Sequence, residues 1–166
     1  MAEDTMQTGR PGPEHEQLGA FVGTFRSRVK LWMGPGDPVL SSGTMVNTSD
    51  LGGLFVRQEY TGDRGEGPFP AFEGRGFWGY NQVTRAYEAV WIDNAGTMIQ
   101  YESGTVDASG TVWTMSGTVP HPRTGKAMTK RSVITLVDPD HHQLEMWFDT
   151  GDNEVKAMEI DYTRKR

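Results

Sequence analysis

The chain has 166 residues, 22 acidic against 16 basic side chains and a formal net charge of −6. That length suits one domain with one core, and the acidic balance argues against a nucleic-acid partner, which needs a basic surface. With no cysteine, disulfide frameworks, thiolate metal sites and thiol catalysis are excluded, and a reducing compartment is compatible.

The first segment, residues 1–12, is polar, contains Gly and Pro and has no periodicity, so a flexible tail is expected. It lacks the basic start and apolar core of a signal peptide. No later run approaches the ~18 apolar residues of a membrane span. A cytoplasmic protein without a membrane partner is the expectation, with residues 13–166 forming one domain.

One short helix is expected around residues 14–22. Pro13 suits a first helical turn, and Glu14 and Glu16 favour its positive end. His15, Leu18 and Val22 share a helical face, with Phe21 beside them, and Gly23 ends it. Such a helix can plug one end of a barrel.

From Gly23 the period becomes two. Phe25, Ser27, Val29 and Leu31 alternate with Arg26, Arg28 and Lys30, the pattern of a half-buried strand. Gly34 to Pro38 forms a turn, and further strands are expected at 42–48 and 54–60. Residues 61–70 read as an exposed loop. The next strand, 72–80, contains Gly74, Gly76 and Gly79, which mark bulges or close backbone approach. Strands at 87–92, 98–106, 111–119 and 129–137 follow, separated by turn residues such as Asp93-Asn94-Ala95-Gly96 and Asp138-Pro139-Asp140-His141. Leu144, Met146 and Phe148 mark the ninth strand. Lys156, Met158, Ile160 and Tyr162 mark the last.

About ten strands joined by short turns require antiparallel neighbours. A long meander removes its open edges by closing on itself. The expected fold is therefore all-β: an antiparallel up-and-down barrel of about ten strands with one short N-terminal helix. A two-sheet sandwich shares the same pattern. Ten strands make a wider barrel than the eight that side chains nearly fill, so an internal cavity is expected.

The ordered set His15-Glu16-Gln17-Leu18, Val22-Gly23-Thr24-Phe25, Gly52-Gly53, Gly79-Tyr80-Asn81, Trp91-Ile92-Asp93, Ser103-Gly104, Leu144-Glu145-Met146 and Glu154 to Ile160, followed by Tyr162-Thr163-Arg164, resembles a bacterial family of unknown function numbered 1579. The resemblance runs from about His15 to the C-terminus. It implies a lipocalin-like barrel and no assigned reaction, and fold alone does not supply one. Phe25 stands where Trp is expected, and Trp147 where Tyr is common.

Two constellations are candidates for a site. Trp78, Tyr87, Trp91, Tyr101, Trp113 and Trp147 fall on different strands, and those that point inward would line a flat apolar site; ordinary core packing is the commoner reading. The second is charge inside strands. Arg57 shares a face with Glu59, Lys130 with Ser132, and Arg131 with Val133, while Glu145 lies between Leu144 and Met146. Lys156 has the parity of the inward-looking Met158, Ile160 and Tyr162, so it ranks above Glu145 as an interior group. Buried charge is costly unless paired or used, and structural ion pairs are the competing reading.

The expected ligand-binding set is Trp78, Tyr87, Trp91, Tyr101, Trp113, Met115, Arg131 and Met158, with Lys156 and Glu145 as candidate acid/base groups. No metal ligand set is expected, because no His spacing matches a zinc site. His141 and His142 fall in an expected turn, from which they could reach a haem only at the rim; no cofactor is expected. Gly-X-Ser-X-Gly and phosphate-loop patterns do not occur.

The leading functional expectation is a barrel binding a small, partly apolar molecule. The alternative is a cofactor-independent enzyme in the same cavity, a cyclase, isomerase or hydrolase, some of which work chiefly by folding a flexible substrate. A third reading is a structural or homodimeric protein that uses an exposed face such as Gln143/Glu145/Trp147.

Overall fold

The computed structural model describes residues 9–166. Most of the expected tail, residues 1–8, therefore lies outside the described residues. Arg10 to Gly12 lie against the barrel: the Arg10 carbonyl accepts from Gln82, and Gly12 caps the helix.

Helix α1 runs Pro13–Leu18 and continues as a tight turn over Gly19–Phe21. Ten strands follow: β1 Gly23–Leu31, β2 Val39–Asp50, β3 Phe55–Gly62, β4 Glu73–Asn81, β5 Ala86–Asp93, β6 Gln100–Val106, β7 Val112–Pro120, β8 Ala127–Asp138, β9 His141–Asp149 and β10 Glu154–Arg164. Each pairs antiparallel with the next, and β10 pairs with β1, closing the barrel. The up-and-down barrel is thus the fold, and the sandwich is excluded.

Alternation fixes what faces inward. Phe25, Trp113, Met115 and Ile160 are buried, and Val29, Leu31 and Met158 line the interior, as their apolar phases require. Two places break the count. Val137 is an extra residue in β8, between Leu136, paired with His142, and Asp138, paired with His141. Ala157 is an extra residue in β10, between Lys156, paired with Trp147, and Met158, paired with Met146. Each bulge reverses the parity of everything beyond it.

Six residues of helix cannot stand alone in water; tertiary contacts hold α1. Leu18 and Phe21 are buried against Trp78, Tyr87, Trp113 and Met115, each such side chain contributing about 1.5–3 kcal/mol. Phe21 meets Trp78 at 4.8 Å and Trp113 at 5.0 Å between ring centroids. Gln17 donates to the Gly110 carbonyl and accepts from the Tyr87 hydroxyl. Arg164, at the end of β10, donates to the carbonyls of Ala20, Val22 and Pro139 and lies over the Phe25 ring. The helix therefore stops one end of the barrel.

Glycines in the strands make room for inward rings. A Cβ on Gly74 would lie 2.0 Å from the Trp91 ring, and one on Gly43 would lie 2.2 Å from the Tyr60 hydroxyl. A second buried cluster, Phe25, Met45, Tyr60, Ile160 and Tyr162, forms one side of the interior.

Candidate functional site

The barrel encloses a cavity of about 870 Å³. Its floor is made by Phe21, Trp78 and His142 beneath the helix, and its mouth by the loops after β3, β5, β7 and β9 at the other end. The wall between is largely apolar, with Met45, Phe72, Trp91, Leu144, Met146 and Met158 among its side chains.

One polar cluster interrupts that wall. Gln100 and Glu102 project from β6, and Lys130 and Ser132 from β8. The Lys130 ammonium donates to Gln100 Oε1 at 2.9 Å and lies 3.3 Å from Glu102 Oε2; Ser132 donates to Glu102 Oε1 at 2.7 Å. The Lys130 side chain is 3% exposed and that of Glu102 12%. A buried ammonium and carboxylate are tolerated when each satisfies the other and further hydrogen bonds complete the set.

Across the cavity the polar groups are neutral. The hydroxyls of Ser27 and Tyr60 are 2.8 Å apart. The His142 ring stacks on Tyr162 and meets Phe21 and Phe25 edge-on. Burial, helped by the Arg164 charge, pushes His142 down to about 4. Burial also pushes the Tyr162 and Tyr60 phenols up. His142 is thus a neutral imidazole and both phenols keep their protons near neutral pH.

The expected site residues divide. Trp78, Trp91, Met115 and Met158 line the cavity. Tyr87 and Trp113 are buried instead under the helix, in the plug core. Tyr101 points outward, 49% exposed, because it has the opposite parity to Gln100 and Glu102. Arg131 also lies on the outer face. It makes a two-pronged ion pair with Glu154, at 2.9 and 2.5 Å, and sits over the Trp147 ring.

Lys156 and Glu145 are corrected in the same way. The extra residue at Ala157 turns Lys156 to the outside although Met158, Ile160 and Tyr162 face in. There Lys156 lies 2.5 Å from Glu159 and 3.4 Å from Glu145, between the rings of Trp32 and Trp147. Burial alone would lower it, but hydrogen bonds and charge from Glu159 and Glu145 hold the ammonium above its ordinary value. It is a structural cation of the exterior, not a proton acceptor in the cavity.

His142 is a further correction. The turn after β8 is only Pro139-Asp140, so His141 opens β9 and His142 falls on its inner face. His141 stays outside, bonded to Asp138 at 2.8 Å.

Sequence reasoning missed Glu102 and Gln100 altogether; it noted Lys130 beside Ser132 as charge inside a strand but left both out of the expected set. Lys130 and Ser132 share the phase of Ile134 and Leu136, and that alternation was a readable signal. β6 offers none: neither of its phases is apolar, and Tyr101 draws attention to the wrong one. Among the described residues, no three His, Asp or Glu side chains converge as a metal site, and no helix is long and apolar enough to cross a membrane.

A family model described as "Protein of unknown function (DUF1579)" matches residues 10–164. No curated protein matches the sequence. Among solved structures, the chain is similar to Rv2717c from M. tuberculosis, with a TM-score of 0.65 and 16% identity, over 95% of this chain and 100% of that one. It is also similar to the S-type phycobiliprotein lyase CPES from Guillardia theta, with a TM-score of 0.62 and 13% identity, over 95% of each chain. At these identities the likeness is one of fold, a lipocalin-like barrel.

Proposed function

The chain belongs to the family described as protein of unknown function (DUF1579), and on that premise we propose that its barrel binds a small, largely apolar molecule in the interior. The observation that carries this reading is the cavity itself: about 870 Å³, stopped at one end by the helix and open at the other. That volume lies within the roughly 300–1,000 Å³ of small-molecule sites. An apolar wall with a few fixed polar groups supplies burial from the many and orientation from the few. The aromatic share of the expected binding set narrows to Trp78 and Trp91.

Titration with the uncharged apolar dye Nile red tests the reading. Saturable, one-site binding with a blue-shifted emission is expected, and Ala89→Phe, which adds a ring on the cavity wall, should weaken it. Absence of dye binding by the wild-type protein, together with native mass spectra showing no bound molecule, would overturn it.

A second reading, the cofactor-independent cyclase, isomerase or hydrolase, is favoured by one observation. Glu102 and Lys130 place a carboxylate and an ammonium 3.3 Å apart inside the cavity, a pair able to take and return a proton. Recovery of the bound molecule unchanged favours binding alone; its conversion, lost in Glu102→Gln, favours the enzyme.

A further inference from the structure

We infer that the molecule this cavity accepts is uncharged: an apolar body carrying hydroxyl, carbonyl or amide groups. The inference rests on the binding reading above and adds the ligand's chemical class.

Among the described residues, the charged groups on the inner wall away from the mouth are Glu102 and Lys130, and they are closed on each other. Lys130 is further engaged by Gln100, and Glu102 by Ser132. An entering carboxylate would have to share an ammonium that Glu102 already holds, placing two like charges around one cation out of water. An entering ammonium meets the mirror problem at Glu102. Neither finds a free counter-charge.

What the wall does offer is neutral. Gln58, His142 and Tyr162 face the cavity, and among the described residues no protein group hydrogen-bonds their side chains. His142, held neutral by burial, presents one donor and one acceptor nitrogen, and Tyr162 a hydroxyl. A ligand hydroxyl or carbonyl satisfies such groups without bringing charge into the site. The mouth adds discrimination against anions, since its carboxylates are Asp63, Glu66 and Asp93 and, among the described residues, only Asp63 pairs with a basic side chain, Arg26.

The test uses the full-length protein loaded with Nile red and displaced, at neutral pH, by three probes of one chain length: 1-decanol, decanoate and decylammonium. The alcohol is expected to compete at least about tenfold more tightly than either ion. In Glu102→Gln, which leaves the Lys130 ammonium without its carboxylate, decanoate should gain about tenfold. Competition by decanoate or decylammonium as tight as by decanol on the wild-type protein overturns the inference, as does a folded Glu102→Gln protein that gains nothing for decanoate. If that variant does not fold, the wild-type series decides alone. Failure of Nile red to bind at all is a different result, and it overturns the binding reading instead.

Discussion

The imidazole of His142 lies flat on the phenol of Tyr162, with ring centroids 4.5 Å apart and planes 19° from parallel. The stack sits on the inner face of the barrel, beneath Arg164 and against Phe21 and Phe25. It joins β9 to β10 and links the helix plug to the cavity floor. A protonated ring there would be a cation in an apolar site beside an existing cation.

The sign of the resulting pH dependence follows. His142 is depressed from 6.5 to about 4 in the folded protein. A group that must stay neutral contributes stability fully present above the unfolded value of about 6.5 and lost as pH falls through about 4, in all about 3 kcal/mol. His142→Phe keeps a ring in the stack and removes the proton site. Stability measured by urea denaturation between pH 7 and 4 should fall more steeply in wild type than in this variant. Parallel curves would show that His142 does not titrate against folding.

Lys130→Met should be strongly destabilising, by about 3–5 kcal/mol, because it leaves Glu102 buried without its cation. Adding Glu102→Gln should restore a large part of the loss, since the amide needs no counter-charge and can still accept from Ser132. Chemical denaturation of the two single variants and the double variant measures the coupling. Additive losses would mean the two side chains do not depend on each other.

The sequence made the barrel readable because ten alternating segments and short turns leave few ways to hide apolar phases. The helix, observed over 13–21 where 14–22 was expected, was legible from Pro13 and the Leu18/Phe21 face. The site was less so, and for a single physical reason: facing is inherited along a strand, and one extra residue reverses it. Ala157 made Lys156 look internal by parity with Met158, and the turn at Pro139-Asp140 concealed that His142 had already entered β9. Glu102 was hidden differently, in a strand whose two phases are about equally polar. Such a strand reveals its inner face only when its neighbours are known.

The exterior position of Lys156 predicts a near-silent substitution. Lys156→Met removes an ammonium that bridges Glu145 and Glu159, with the lysine side chain 26% exposed. Pairs in such water-accessible settings contribute about 0–1 kcal/mol, and the methionine retains packing between Trp32 and Trp147. Melting temperature should shift by a few degrees at most, and Nile red affinity should stay within about twofold. A loss of dye binding without unfolding would place Lys156 inside the barrel after all.

Gly74 on β4 sits beside Trp91 on β5, and the indole lies across the glycine so closely that an added Cβ would meet its ring at 2.0 Å. No Cβ is tolerated at that separation, so Gly74→Ala must push the indole away. Its anchor resists: Trp91 Nε1 donates to Asp93 at 2.9 Å, and Phe72, Met158 and Ile160 belong to the apolar cluster it packs against. The displaced ring would move into the cavity and occupy ligand space. Gly74→Ala should therefore cost about 1–3 kcal/mol and weaken Nile red binding together. In a Trp91→Leu background the methyl has room, so the same glycine substitution should become nearly neutral for stability. Equal costs in the two backgrounds, measured by thermal denaturation, would show that the glycine serves the backbone alone and that the indole does not need the space.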